Sequence, residues 1–226
     1  MCRNGRRLAS GASLYLPPMR LRVAAAVSGR GSNLAALLDA LGPAAPAAVV
    51  LVLSNRAQAG GLEIARKHAI PTHVLADAAD PGEWLESLSR AGVDLVVLAG
   101  FLKRVPPEVV GAYRNRIINI HPALLPRHGG PGMYGLRVHQ AVLAAGDTES
   151  GATVHLVNEE YDRGPVLGQV RVPVVPGDSP ESLAARVLDA EHRLLPAAVL
   201  AAARAGRPVP FALEDEPATA PPSSHR

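Results

Sequence analysis

Cys2 is the single cysteine in 226 residues, so neither a disulfide framework nor a cysteine-based metal site can form within one chain. Aromatic residues make up only 3%, too few for the stacking platforms on which single-stranded nucleic acid is bound. Charge of one sign is also scarce. The formal net charge is +3, and Arg3, Arg6, Arg7, Arg20 and Arg22 concentrate it near the start instead of on one face, which leaves no electrostatic footprint for a nucleic acid. Long apolar runs are missing too. VAAAV, AAVVLVL and LVVLAG fall far short of the ~20 residues that span a bilayer. The opening stretch MCRNGRRLASGASLYLPPMR is basic but lacks the sustained apolar segment of a signal peptide. The expectation is a cytoplasmic protein with no nucleic-acid and no membrane partner.

What the chain does have is core-forming material: 48% hydrophobic and 19% charged residues, enough for one domain with tails. Short β-rich runs alternate with amphipathic stretches: RVAAAV, SNLAALLDAL, AAVVLVLS, GLEIARKHA, THVL, PGEWLESLSRAG, DLVVLAG, PPEVVGAYR and RIINIH. That order predicts an α/β fold, a single Rossmann-like open sheet, mostly parallel, with helices on both faces. The strands lack polar alternation, as strands covered on both sides do. After His121 come a glycine- and proline-rich loop, a helix LRVHQAVLAAG, and two runs, GATVHLVN and GPVLGQVRVPVV, expected as antiparallel edge strands. The last helix opens at DSPESLAARV, with Ser179 as cap and Pro180 in the first turn. Pro196 lies inside it and is expected to kink or split it. We divide the chain into an N-terminal arm (1–18), one domain (19–207) and a polar, proline-rich tail (208–226).

Two segments are candidates for chemistry. In SGRGSNL, residues 28–34, Gly29 and Gly31 allow a sharp turn into a helix whose free N–H groups would face an anion, phosphate being the natural one. Neither the Walker loop nor the GxGxxG fingerprint is present. In RIINIHPALLP, Asn119 and His121 lie two apart, so a strand sends both to the same side, and Pro122 and Pro126 stiffen the chain just after the strand. Ligands of an open parallel sheet collect beyond the carboxyl ends of its strands, which makes residues 31–33, 101–105 and Asn119 with His121 neighbours. NEEYDRGPV offers Glu159, Glu160 and Asp162 as acids, of which only one close to His121 would matter. Glu191 and His192, within the final helix, read as solvent-facing or capping residues.

Together, SGRGSNL, LAGFLKRV, NIHPALLP, TVHLVNEEYDRGPVLGQ and DAEHRLLP resemble, in order and over about residues 22–206, the phosphoribosylglycinamide formyltransferases, folate-dependent enzymes of purine biosynthesis. The resemblance implies formyl transfer from 10-formyltetrahydrofolate to the glycinamide amine of 5'-phosphoribosylglycinamide (GAR) through a tetrahedral intermediate, with no metal required. It implies Asn119, His121 and Asp162 as catalytic residues, and His155 as a supporting one. It further implies Gly31, Ser32 and Asn33 at the nucleotide phosphate, Glu191 at the ribose, and Leu102, Lys103, Arg104 and Val105, with Asn119, around the folate. In this scheme Asn119 donates to the developing oxyanion, and a protonated His121, favoured by the Asp162 carboxylate, serves as oxyanion stabiliser and general acid.

The chain departs from the family pattern in two places. LADAADPGEW has no basic residue where many members place one against the folate tail, and RHGGPGMYGLRVH is long and glycine-rich, as a cover over the folate would be. Three rivals share parts of the pattern. A formyltetrahydrofolate hydrolase normally adds an N-terminal regulatory domain, and a methionyl-tRNA formyltransferase normally adds a C-terminal one, for which this sequence leaves little room. A non-catalytic nucleotide- or folate-binding protein would not demand Asn119, His121 and Asp162 together. A monomer and a homodimer fit the sequence equally.

Overall fold

The computed structural model describes residues 20–213; the arm expected at 1–18 lies outside them. Seven strands form one sheet: β1 (Leu21–Val27), β2 (Ala47–Ser54), β3 (Thr72–Val74), β4 (Leu95–Leu98), β5 (Ile117–His121), β6 (Glu149–Leu156) and β7 (Val166–Pro173). Their spatial order is β3-β2-β1-β4-β5-β6-β7. The first five run parallel, and β6 and β7 add antiparallel to β5. The sheet is therefore the mostly parallel one, with antiparallel edge strands, that the alternation of runs predicts.

The helices are α1 (Ser32–Ala40), α2 (Gly60–Lys67), α3 (Pro81–Arg90), α4 (Pro107–Ala112), α5 (Leu136–Ala144) and α6 (Pro180–Ala205). β1 lies at the centre of the parallel part and is covered on both faces. Val23, Ala25 and Val27 join one apolar layer with Leu34, Leu62, Val142 and Leu194, so α1, α2, α5 and α6 share that face. Ala24 and Ala26 join the other with Trp84, Leu88 and Val109 from α3 and α4. Period-2 alternation into two apolar layers accounts for the absence of polar positions from Val23 to Val27.

At the start of α6 the capping box is complete, with Ser179 accepting from the Ser182 N–H. The helix nevertheless continues unbroken through Pro196 to Ala205, so the expected split does not occur. Pro196 removes one backbone hydrogen bond, the one to the His192 carbonyl. It is buried, along with Leu194, Leu195 and Ala198 around it, and packing against the sheet carries the helix across the gap. Beyond α6 the chain stays packed: Phe211 N–H donates to the Leu167 carbonyl at 2.9 Å, and Phe211 and Leu213 lie against the core. Ordered chain thus extends past the boundary drawn at 207. Among the described residues no helix is long and apolar enough to cross a membrane.

Candidate active site

From β1 the sheet order runs outward in both directions, to β2 and to β4, and the loops leaving β1, β4 and β5 part there at their carboxyl ends. This is where an open α/β sheet binds its ligand. A cleft of about 830 Å³ opens at this place, lined by Gly29 to Asn33, Leu98 to Val105, Asn119 to Pro122, residues 130–136 and 157–162, and by His139, His155 and Glu191. Every site residue singled out in the sequence lines it: Gly31, Ser32, Asn33, Leu102, Lys103, Arg104, Val105, Asn119, His121, His155, Asp162 and Glu191.

At one end stands the start of α1. Gly31 has φ +83°, and a Cβ there would lie 2.5 Å from the Gly61 Cα. Only glycine satisfies both the left-handed backbone and that close approach. The first helical bond runs from Ala35 N–H to the Gly31 carbonyl, which leaves the amides of Ser32, Asn33 and Leu34 ahead of it, and no side chain caps them. Beside them Asn33 Nδ2 donates to Glu191 Oε2 at 2.6 Å, while Asn33 Oδ1 is buried without a partner. Glu191 is thus neither solvent-facing nor capping. It is buried, and burial pushes its pKa up to about 7, against the opposing hydrogen bond from Asn33. Ser28 holds this end to the next loop: its Oγ accepts from Leu102 N–H at 2.8 Å and donates to Asn55 Oδ1 at 2.6 Å.

The β4 loop forms the side wall. Val105 is buried, Leu102 is exposed, and Phe101 packs edge-on to Trp84 with ring centroids 5.3 Å apart. Lys103 reaches solvent at the rim. Arg104 donates to the Glu159 carbonyl at 2.7 Å and lies over the Tyr161 ring at 5.9 Å. Glu159 and Glu160 are exposed. The cation-free LADAADPGEW segment stays off the cleft lining; it closes on itself, with Glu83 accepting from the Ala76 and Asp77 amides.

At the other end the strand-end pair converges with Asp162. Register pairs Asn119 with His155 and His121 with Thr153 across β5 and β6. His155 Nδ1 bonds the Leu156 carbonyl at 2.8 Å and therefore carries its hydrogen, and Nε2 accepts from Asn119 Nδ2 at 3.1 Å. One Asn119 amide hydrogen is left for the cleft. His121 Nε2 donates to the His128 carbonyl at 2.9 Å, and its Nδ1 faces Asp162 Oδ2 at 3.6 Å, beyond hydrogen-bond length, so the carboxylate favours a charged form of the ring without bonding it. Asp162 Oδ1 lies 3.4 Å from His155 Nε2, and Oδ2 accepts from Gly130 N–H at 2.8 Å.

The electrostatics refine the expected charge states. Burial depresses the pKa of His121, and although Asp162 and the His128 carbonyl pull it up, burial wins. Burial thus opposes the imidazolium expected from the sequence, and the hydrogen that the His128 carbonyl holds on Nε2 leaves the lone pair of the uncharged ring at Nδ1. Burial works the other way on Asp162, but the hydrogen bond from the Gly130 amide opposes it, and the carboxyl is held below its ordinary range. Asp162 stays ionised. Three partners escaped the sequence reading: the His128 carbonyl, the Gly130 amide, and His139 of α5, which is buried in the cleft lining with an unpartnered Nδ1. The two backbone groups have no signal in residue type. Among the described residues no group of three His, Cys, Asp or Glu side chains is arranged to hold a metal ion.

Comparison with known proteins agrees with this geometry. The formyl transferase family pattern matches residues 21–199. The chain is 46% identical over 185 residues to the chloroplastic phosphoribosylglycinamide formyltransferase of Arabidopsis thaliana, covering 78% of this chain and 63% of that protein; it spans less than two thirds of that relative's length. It is 41% identical over 183 residues to the phosphoribosylglycinamide formyltransferase of Escherichia coli, covering 78% of this chain and 84% of that protein. The crystal structure of the enzyme of that name from Anaplasma phagocytophilum superposes with a TM-score of 0.77 at 41% identity, over 82% of this chain and 87% of the other. A cleft built on these loops, in a sheet of this order, with a family match across most of the described residues, has one explanation: the chain belongs to the formyl transferase family.

Proposed function

We propose that the chain transfers the formyl group of 10-formyltetrahydrofolate to the glycinamide amine of GAR, a step of purine biosynthesis, in the cytoplasm. The observation that carries the reading is the layout of a single cleft. An uncapped helix start beside a buried carboxyl stands at one end, and an amide, an imidazole and an ionised carboxylate converge at the other.

In this reading the substrate phosphate meets the amides of Ser32 and Asn33 after Gly31, where the helix dipole favours an anion. Glu191 accepts from the ribose hydroxyls, and Leu102 to Val105 with Asn119 flank the pterin. Both substrates are then held with the amine beside the formyl carbon, an orientation effect worth several powers of ten in rate. The amine nitrogen attacks, the formyl carbonyl electrons move onto oxygen, and the oxyanion accepts from the free hydrogen of Asn119. The attacking nitrogen sheds its proton to Nδ1 of neutral His121, the imidazolium being stabilised by Asp162. The same proton passes to N10 as the carbon–nitrogen bond to the folate breaks. No step is assigned to a metal.

His121→Ala tests these assignments. Turnover is expected to fall by about two or more orders of magnitude, with the dissociation constant for GAR, read by calorimetry, nearly unchanged. Undiminished turnover would remove His121 from the chemistry.

A further inference from the structure

The segment 127–130 touches both members of the His121–Asp162 pair. Its His128 carbonyl accepts from His121 Nε2 at 2.9 Å, and its Gly130 amide donates to Asp162 Oδ2 at 2.8 Å. These two backbone contacts fix the His121 tautomer and aim the carboxylate. The segment is packed tightly here, since a Cβ on Gly129 would lie 2.5 Å from Leu125 Cδ2 and 3.1 Å from Asp162 Cβ. His128 also holds a left-handed backbone, φ +54°, a conformation that a histidine keeps only when its surroundings impose it.

What imposes it lies on the side away from the cleft. Asp147, in the turn between α5 and β6, accepts from His128 Nε2 at 2.7 Å and forms an ion pair with Arg127. Its side chain is only 10% exposed. The hydrogen bond from His128 holds the Asp147 carboxyl below its usual range, burial opposes this, and Arg127 reinforces it. The preceding part of the loop is pinned separately: Thr153 Oγ1 donates to the Ala123 carbonyl at 2.6 Å and accepts from Leu125 N–H at 3.1 Å. Gln169 Nε2 donates to the Leu125 carbonyl at 2.9 Å. The contacts through Thr153 and Gln169 end at Leu125. From Arg127 to Gly130, the side-chain anchors other than His121 and Asp162 themselves are those to Asp147.

We infer that Asp147 is a positioning residue for formyl transfer: by clasping Arg127 and His128 it holds the 127–130 segment that sets the tautomer of His121 and the orientation of Asp162. The inference rests on the catalytic roles proposed above. Asp147 lies outside the cleft lining, so its effect on turnover passes through the histidine and not through substrate contact.

The test combines kinetics with ¹⁵N NMR of the imidazole nitrogens on the whole protein. In the wild type His121 should show the signature of a neutral ring protonated at Nε2. In Asp147→Ala that signature should give way to an average of the two tautomers, kcat should fall about ten- to a hundredfold, and KM for each substrate should stay within about twofold. His128→Ala, which keeps the carbonyl but removes its anchor, should behave alike, and the double variant should be no worse than either single one, because both cut the same link. Should Asp147→Ala not fold, Asp147→Asn keeps the side-chain shape and is expected to give the same changes to a smaller degree. Wild-type kcat in a folded Asp147 variant overturns the inference, as does a lower kcat with the Nε2–H signature unchanged. A wild type without transferase activity, but with a His121 signature that responds to Asp147→Ala, sinks the functional reading and supports the anchor.

Discussion

Glu191 shows how far a residue's surroundings can change its meaning. Within a helical run it looks like any solvated carboxylate; in the fold it is buried against Asn33, 158 positions away, with its pKa pushed up to about 7. The unfolded chain releases this proton near 4.5, so between about 4.5 and 7 the folded form holds more protons, and stability falls as pH rises through that window. The loss is on the order of 3 kcal/mol and is complete above the folded pKa. Glu191→Gln keeps an acceptor for Asn33 and carries no charge. It should therefore be more stable than the wild type at pH 8, indistinguishable from it below pH 4.5, and weaker in GAR binding; denaturant titrations at the two pH values and calorimetry check this. Gly31→Ala should have the opposite effect on stability. The left-handed backbone and the Gly61 contact at 2.5 Å are both incompatible with a Cβ, and a loss of about 1–3 kcal/mol together with a raised KM for GAR is expected.

At the level of elements, the central strands show as apolar runs, Val23–Val27 in β1, Ala47–Leu53 in β2 and Leu95–Leu98 in β4, because both of their faces are covered; β3 and β5 carry polar residues, among them Asn119 and His121. The start of α6 is legible from its cap, Ser179, whereas α1, α2, α4 and α5 carry no side-chain cap and show as the stretches between strand runs. Pro196 was misleading since local backbone chemistry argues for a break, while the burial of Leu194, Leu195 and Ala198 around it depends on a sheet assembled from distant residues. The site divides similarly. Asn119 and His121 stand out by spacing, and Asp162 by its motif. The His128 carbonyl, the Gly130 amide and the ionisation of His121 depend on loop path and burial, which residue types do not encode. Packing between elements also supports the cleft wall: Trp84 of α3 is fully buried and meets Phe101 edge-on. Trp84→Ala should cost about 3–5 kcal/mol, read by chemical denaturation, and should raise KM for the folate more than for GAR, because Phe101 begins the loop that carries Leu102 to Val105.

Taken as a whole molecule, the order of strands does the positioning. Placing β1 between β2 and β4 brings together loops that are up to about 90 residues apart in sequence; the antiparallel β6 sets His155 opposite Asn119, and the loop that follows it returns Asp162 to His121. One cleft thereby receives an uncapped helix start at one end and the Asn119, His121 and Asp162 group at the other, and the roles proposed for the two ends should be separable by mutation. Asn33→Ala should raise KM for GAR more than it lowers kcat, whereas Asn119→Ala should lower kcat by about 10²–10³ with less effect on KM; steady-state kinetics on both variants would reveal the split. The central claim, that this cleft hands a formyl group to the nucleotide amine and not to water, is tested most directly by following deformylation of 10-formyltetrahydrofolate by absorbance with and without GAR. Deformylation that requires GAR and yields the formylated nucleotide is the predicted result. An equal rate in its absence would contradict the account and leave a hydrolase in its place.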